Sequence, residues 1–353
     1  HSLVGSEMCI RDSIYSNKLI MKAAKFITSY VLLFAIFGAS YIHAQERTER
    51  EEDGFFDKVK SVKRTAYEAV VQGNEVSKGA SSGYQIRTYS TSGIKLEVTD
   101  YNADDTPGRT QKYTLDKKDN PIELIDQMGE MVIKKVNYTY DKKGHMLEKI
   151  TYTGDGEIDS KQIFVHNKKG QVTEQTNYAS SFGELTVTEK LKFSYDDQGN
   201  RIKTMFEDGE GVSYGHNERT YDANGNELTN TNFNEDGSVS VKMVMKYNKD
   251  NIATERITLS PEGITERIAT LNERGQLLTL EYFDADGNVT RKSGNTYDDF
   301  GNVLTEIRYD QDGTPSVYAE YRYTYDKSSN WLTQEVFQDG QVVYILDHEL
   351  TYY

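Results

Sequence analysis

The stretch Tyr221-Asp222-Ala223-Asn224-Gly225-Asn226 decides the fold, because degenerate copies of it recur along most of the chain. The copies begin at Leu115-Asp116, Tyr140-Asp141, His166-Asn167, Tyr195-Asp196, Tyr221-Asp222, Tyr247-Asn248, Leu271-Asn272, Tyr297-Asp298 and Tyr325-Asp326. Successive copies are 24 to 29 residues apart. Unrelated turns would not keep such a step, so the pattern indicates a tandem repeat.

Each copy has the chemistry of a tight turn. An Asp or Asn at its first position can accept backbone N–H bonds, and a Gly three residues later supplies a positive φ. The predicted turn residues are Asp141, Gly144, Asp196, Gly199, Asp222, Gly225, Asp298 and Gly301. A second glycine follows at a nearly constant distance, as in Gly211, Gly237 and Gly287. Each unit therefore has a first turn, a second turn and two strand-length segments.

The segments between the turns alternate with a period of two, which is typical of half-buried antiparallel strands. In 303–309 this alternation predicts one face with Thr305, Ile307 and Tyr309 and an outward face with Glu306 and Arg308. The segment 55–70 fits a helix or a first strand. The predicted fold class is all-β, with about ten tandem antiparallel hairpins in a long coiled or spiralling meander. Because twisted open sheets rarely exceed about ten strands without curling, we expect it to close partly on itself, with Tyr, Ile and Phe on the concave face.

The motif Tyr-Asp-x-x-Gly-Asn resembles the RHS/YD repeat, and this resemblance covers about 113–353, with weaker copies back to about 57. It implies β-hairpins wound into a spiral wall. In large members of that family the wall encloses a toxin domain, and in animal teneurins it forms an extracellular shell. This chain has a longer period, and Asn stands where family members often have Arg. A weaker likeness is to MORN-like YwqK repeats.

The N-terminal region has the pattern of a processed segment. Residues 1–20 are interpreted as a sequencing-adapter artefact with upstream residues, and 21–44 as a signal peptide with basic Lys22 and Lys25, an apolar stretch and cleavage after Ala44. The apolar stretch is shorter than the ~20 residues of a membrane span. We expect a polar linker at 45–56, a repeat domain at 57–353 and a secreted or periplasmic protein of a Gram-negative bacterium, with no stable membrane insertion after signal cleavage.

Composition excludes several classes of function. The formal net charge of −15 disfavours nucleic acid and anionic membrane surfaces as partners. Cys9 is the single cysteine and precedes the predicted cleavage site, so disulfides and zinc–thiolate sites are excluded from the mature chain. The hydrophobic fraction of 36% predicts a thin apolar core.

The acidic turns and the histidines offer no clear catalytic or metal site. Asp284-Ala285-Asp286-Gly287 looks like a calcium loop, but aligning Gly287 with the EF-hand glycine puts Tyr282 where the first carboxylate must stand. Hairpin chemistry is the favoured interpretation, and weak calcium binding stays open. His348 and the other histidines show no zinc-ligand spacing, so structural or solvated roles are expected. We expect no cofactor and no metal.

Aromatic residues are the remaining candidates for ligand contact. These are Tyr195, Tyr221, Tyr297, Tyr325 and Trp331. Packing explains the tyrosines better, because the repeat places one in most units, and edge packing is the favoured role of Trp331. The favoured function is non-enzymatic binding or scaffolding at the bacterial envelope, with a polysaccharide or an envelope protein as partner. The alternatives are a component of an RHS-type toxin system and a glycan-active enzyme.

Overall fold

The computed structural model describes residues 48–73, 75–181 and 183–353. The predictions for 1–20 and 21–44 lie outside the described residues. Within the linker predicted at 45–56, a capped one-turn helix occupies Glu49–Glu52.

The described residues form one short helix and 22 strands. Segment 55–70, which fits either a helix or a strand by sequence, lies mostly in the first strand. The elements are α1 (Glu49–Glu52), β1 (Val59–Gln72), β2 (Glu75–Tyr89), β3 (Lys95–Asn102), β4 (Pro107–Leu115), β5 (Pro121–Met128), β6 (Met131–Tyr140), β7 (Met146–Thr153), β8 (Ile158–His166), β9 (Val172–Ser181), β10 (Glu184–Tyr195), β11 (Arg201–Asp208), β12 (Ser213–Tyr221), β13 (Glu227–Asn234), β14 (Val239–Tyr247), β15 (Ala253–Leu259), β16 (Thr265–Leu271), β17 (Leu277–Phe283), β18 (Val289–Tyr297), β19 (Val303–Tyr309), β20 (Pro315–Tyr325), β21 (Trp331–Gln338) and β22 (Gln341–Tyr352).

The strands form one closed antiparallel sheet. Consecutive strands pair along the chain, as β12 does with β11 and β13. β1 then pairs with β22, from Val59 opposite Tyr352 to Glu68 opposite Tyr344. The prediction of a hairpin meander is confirmed, but the expectation of a coiled or spiralling sheet that closes only partly is wrong, because β1 and β22 close it completely. Pairing β1 with β22 satisfies the backbone groups that two free edge strands would leave exposed, which is the physical reason for closure.

The faces of β19 differ from those predicted. Tyr297 pairs with Val303, whereas its neighbour Thr296 pairs with Thr305, so β19 carries an extra residue just after the turn. Such a bulge reverses the alternation counted from the turn. Glu306 therefore pairs with Asn295 on the face of Tyr297, and Ile307 lies on the opposite face. The outward assignment of Glu306 was wrong.

We call the side of the sheet with the repeat tyrosines the Tyr face. In β12 its residues Gly215 and Asn217 are buried, whereas Glu218 and Thr220 on the other side are exposed. In β20 Ala319 is likewise buried. Since one side of a closed sheet points inward, the Tyr face is the inner face.

The reversed faces change the expected effect of Glu306→Lys. Glu306 Oε1 accepts a hydrogen bond from the Tyr321 hydroxyl at 2.6 Å. Removing the acceptor and placing an ammonium on the inner face is expected to lower the free energy of unfolding by about 1–3 kcal/mol. Urea denaturation measures this. Thr305→Lys on the outer face is the control, and equal midpoints for the two variants would contradict the assignment of the faces.

The turns divide between the two ends of the closed sheet. First turns connect even-numbered strands to the odd-numbered strands that follow, as β12 to β13, and together they form the first-turn rim. Second turns form the opposite rim.

The apolar core is small and flanks the β1–β22 pairing, which we call the seam. One cluster contains Phe55, Val59, Val62 and Tyr89, and another contains Phe337, Val342 and Ile345.

Candidate functional site

The first-turn residues predicted from the sequence occupy a repeated hydrogen-bonded loop. In the loop of Asp222, its Oδ1 accepts from the backbone N–H groups of Asn224 and Asn226, each at 2.9 Å. Asp141, Asp196 and Asp298 begin equivalent loops, and φ is positive at Gly144, Gly199, Gly225 and Gly301. The bonds that the carboxylate of Asp141 accepts, first from the His145 N–H, lower its pKa to about 2.

The asparagine after the turn glycine has a role that the sequence did not reveal. Asn226 Nδ2 donates to Asp222 Oδ2 at 2.8 Å, and Asn200 Nδ2 donates to Asp196 Oδ2 at 2.9 Å. These bonds use the second carboxylate oxygen of each turn. The recurrence of Asn after Gly was the signal that could have indicated this side-chain bond.

Gly225 has a φ of +84°, a conformation that costs a residue with a Cβ atom extra free energy. We expect Gly225→Val to lower the free energy of unfolding by more than about 1 kcal/mol, because β-branched side chains are disfavoured most at positive φ. Thermal and urea denaturation measure the loss. Ala223→Val, at an exposed position of the same loop without a positive φ, is the control, and an unchanged midpoint for Gly225→Val would contradict the turn geometry.

The repeat tyrosines use their hydroxyl groups within the sheet. Three of them donate to the carbonyl oxygen of the first residue of the preceding strand: Tyr195 to Val172 at 2.6 Å, Tyr221 to Arg201 at 2.9 Å and Tyr297 to Leu277 at 2.8 Å. Burial raises the pKa of each phenol. These tyrosines lie on separate hairpins, in β10, β12 and β18. Each hydroxyl group connects the residue before one first turn with the residue after the preceding first turn.

Tyr325 and Trp331, in contrast, lie next to each other near the seam. They are opposite residues in the β20–β21 pairing. The Tyr325 hydroxyl donates to the Asp298 carboxylate, which belongs to the preceding first turn. The Trp331 ring lies over the His348 ring with a centroid distance of 3.5 Å and contacts Tyr323 edge-on at 6.0 Å. The structure therefore brings two of the five predicted aromatic residues together.

Residues 48–58, which we call the N-terminal strap, are held at the first-turn rim. Thr48 and Glu51 form a reciprocal capping box around α1. The Arg50 N–H donates to the Gly93 carbonyl at 3.0 Å, and the Lys95 N–H donates to Glu49 Oε2 at 2.5 Å. These bonds attach the strap to the turn between β2 and β3.

Asn330 anchors the other end of the strap and is fully buried, with 0% exposure. Its Oδ1 accepts from the Phe56 N–H at 2.6 Å, and its Nδ2 donates to the Phe56 carbonyl at 3.3 Å. Nδ2 also lies 3.1 Å from the Tyr352 hydroxyl. One side chain thus links the strap, the turn between β20 and β21, and the closing strand β22.

A cavity of about 60 Å³ lies between the strap and the seam. Residues of the strap, β1, β2, β21 and β22 line it: Asp53, Phe55, Val62, Arg64, Arg87, Trp331 and His348. We call it the seam cavity. Of these residues, Trp331 was a candidate from the sequence, His348 was expected to be structural or solvated, and Arg64 and Arg87 were not predicted. No local motif marks these residues, because strand closure brings them together from the two ends of the chain.

Positive charge exceeds negative charge around the seam cavity. Arg87 Nη1 lies 3.4 Å from Asp53 Oδ1, and Lys95 Nζ lies 2.9 Å from Asp53 Oδ2. The same carboxylate accepts the Tyr89 hydroxyl at 2.6 Å. Within the described residues, Arg64 has no hydrogen-bond or ion-pair partner. Burial, and then the like charge of Arg87, lower the pKa of Arg64.

His348 forms an aromatic wall of the cavity. Its Nδ1 lies 3.2 Å from the Trp331 carbonyl oxygen, which can only accept, so Nδ1 carries the proton. Phe55 contacts the ring edge-on, with a centroid distance of 5.1 Å. Burial, and then the positive charge of Arg64, lower the pKa of His348 to about 3, so the ring is neutral at pH 7.

The low pKa of His348 predicts acid sensitivity. An unfolded histidine binds a proton near pH ~6.5, whereas the folded protein takes it up near pH 3. The unfolded state binds more protons between these values, so stability falls as the pH drops through this window. Plotted against pH, the free energy of unfolding should therefore change less steeply in His348→Gln, by up to ~1.4 kcal/mol per pH unit. Urea denaturation from pH 7 to pH 4 measures this slope. His216→Gln on the outer face is the control, and an unchanged slope for His348→Gln would contradict the prediction.

Residues 48–73, 75–181 and 183–353 contain neither a metal-binding cluster nor a membrane-spanning helix. In these ranges no three His, Cys, Asp or Glu side chains are grouped so that they could hold a metal ion. Nor do these ranges contain a helix long and apolar enough to span a membrane.

No family model and no curated protein matches the chain. Among solved structures, TcdB2-TccC3-Cdc42 aligns with a TM-score of 0.28 and 10% identity over 80% of this chain. TcdB2-TccC3 without the hypervariable C-terminal region aligns with the same score and identity over 81%. This chain spans 19% of the length of both. A porin-like protein from Bacteroides uniformis aligns with a TM-score of 0.27 and 10% identity, over 83% of this chain and 96% of that one. These similarities are too low to assign a family.

Proposed function

We propose that this protein is a secreted, non-enzymatic binding or scaffold module of the bacterial envelope, with a polysaccharide or another envelope protein as its ligand. The seam cavity is the observation that carries the proposal. It places the unpaired Arg64, the partly neutralised Arg87 and the Trp331 ring beside one another at a rim of the closed sheet. Convergent charged groups with aromatic walls are typical of ligand recognition.

The chemistry of the cavity favours binding over catalysis. His348 has a pKa of about 3 and is a very weak base at neutral pH, and its Nδ1 proton is held by the Trp331 carbonyl. The carboxylate of Asp53 already receives bonds or ion pairs from Tyr89, Lys95 and Arg87. An acid–base pair for glycoside hydrolysis would need one free carboxylate and one protonated carboxyl group.

The repeat itself supports a scaffold role. The turn carboxylates, the asparagines and the tyrosine hydroxyls bond to neighbouring parts of the sheet, as Asp222, Asn226 and Tyr221 do. A closed sheet held at its rim by such bonds presents a rigid surface.

A glycan array probed with the purified full chain tests the proposed function. We expect binding to a subset of bacterial polysaccharides, with no change in their length by mass spectrometry. The variant Trp331→Leu keeps an apolar side chain but removes the aromatic wall, and it should weaken binding. Tyr309→Leu, on the outer face, is the matched control. Cleavage of a bound glycan, or binding to neither glycans nor envelope proteins, would overturn the proposal.

A further inference from the structure

We propose that the seam cavity binds a single carboxylate group, held by Arg64 and Arg87 against the Trp331 and His348 rings. This inference deepens the proposed function and rests on it where the carboxylate belongs to a polysaccharide. Two kinds of ligand carry such a carboxylate: a free small acid and a uronic acid residue of a polysaccharide.

The charges around the cavity require a negative partner. Arg64, Arg87 and Lys95 bring three positive charges, and Asp53 brings one negative charge. Asp53 is used by Arg87 and Lys95, so Arg64 has no compensating carboxylate among the described residues. Arg64 is half-buried, and a half-buried charge without a partner is unfavourable, so an anion in the cavity would lower that cost. In a chain with a net charge of −15, this local excess of positive charge contrasts with the rest of the protein.

The arrangement of the two arginines suits an anion placed between them. Arg64 pairs with Gln85 across the β1–β2 ladder, and Arg87 pairs with Val62, so the two guanidinium groups lie on neighbouring strands and on the same face. The Gln85 Oε1 accepts from Arg87 Nε at 2.6 Å, which fixes that side chain. Arg87 is thereby positioned by neighbours, whereas Arg64 has donors available for a ligand.

The shape of the cavity favours a carboxylate over a tetrahedral anion. The neighbouring rings of Trp331 and His348 provide flat walls, and Phe55 of the strap contacts the His348 ring. The volume of about 60 Å³ suits a group of a few heavy atoms. A planar carboxylate can lie flat against one side of this aromatic surface and accept the paired N–H groups of a guanidinium, whereas sulfate and phosphate are bulkier and carry more charge.

Titration of the full chain with sodium acetate tests the proposal, with sodium chloride, sulfate and phosphate at matched ionic strength for comparison. Acetate should raise the melting temperature and bind by calorimetry. Arg64→Gln should bind acetate about tenfold or more weakly, because a charge-assisted hydrogen bond is lost. Arg201→Gln is the matched control. Arg201 is also an inner-face arginine whose pKa is lowered by burial, and it lies away from the seam. In chloride, Arg64→Gln should be at least as stable as wild type, because an uncompensated charge is removed.

A second arm identifies the source of the carboxylate. A trigalacturonate and its neutral trigalactose counterpart are titrated into the same variants. Binding of the acidic trimer that depends on Arg64 assigns the site to a uronate polymer, and binding of acetate alone assigns it to a free small acid. Equal responses of wild type and Arg64→Gln to acetate, or tighter binding of sulfate or phosphate, would overturn the inference. A negative glycan array with an intact acetate response would refute the polysaccharide function alone.

Discussion

Replacing Asn330 with alanine is expected to lower the free energy of unfolding by about 2–4 kcal/mol. The side chain is completely buried, and its removal leaves the Phe56 N–H and carbonyl without their partners. It also removes a bond to the Tyr352 hydroxyl. A hydrogen bond of this kind contributes about 0.5–1.5 kcal/mol, so the loss of three bonds at one fully buried side chain has a large effect.

Asn200→Ala is the matched control for this prediction. Asn200 holds the same place in its first turn and donates to Asp196, but it is bonded neither to the strap nor to the closing strand. We expect a loss of about 0.5–1.5 kcal/mol there, the usual contribution of one hydrogen bond. Urea denaturation monitored by Trp331 fluorescence measures both variants. If the two losses were equal, the strap and the seam would not depend on Asn330.

Gly215→Ala is expected to lower the free energy of unfolding by about 3 kcal/mol or more, or to prevent folding. Gly215 is buried on the inner face of β12 with φ +150°. A Cβ atom built there lies 2.4 Å from the Phe233 carbonyl oxygen. This oxygen belongs to the paired strand β13 and cannot move without breaking the ladder.

The control is Gly225→Ala, because Gly225 shares a positive φ but has space for a Cβ atom. Its nearest neighbour would be Asn200 Oδ1 at 3.5 Å, an ordinary contact. Backbone strain alone should cost about 1 kcal/mol at this position. Thermal unfolding and amide exchange in β12 and β13 distinguish the two effects. A Gly215→Ala variant as stable as Gly225→Ala would show that the collision is relieved by a small shift.

The regular part of this structure was predictable because its determinants are local. Asp222 and Gly225 specify a turn within a few residues of one another, and the recurrence of that turn specifies hairpins. The face of Glu306 was not predictable, because the bulge after Tyr297 depends on how two strands pair and leaves no mark in the alternation of either strand.

The candidate site shows the same division. Trp331 could be singled out as the one tryptophan of the chain, but its neighbours Arg64 and His348 could not be connected with it. Arg64 and His348 are register partners across the seam, close to opposite ends of the described chain. Nothing in the sequence near either residue indicates the other.

The amino-acid sequence alone determined that the chain consists of turns and antiparallel strands, that its predicted mature part has no thiol chemistry and that its apolar core is thin. These properties follow from composition and from interactions within single hairpins. The tertiary structure decided that the sheet closes, which face points inward and where charged and aromatic groups converge. Closure joins β1 to β22, and the contacts it creates, such as that of Phe56 with Asn330 across 274 residues, arise between segments that share no local signal.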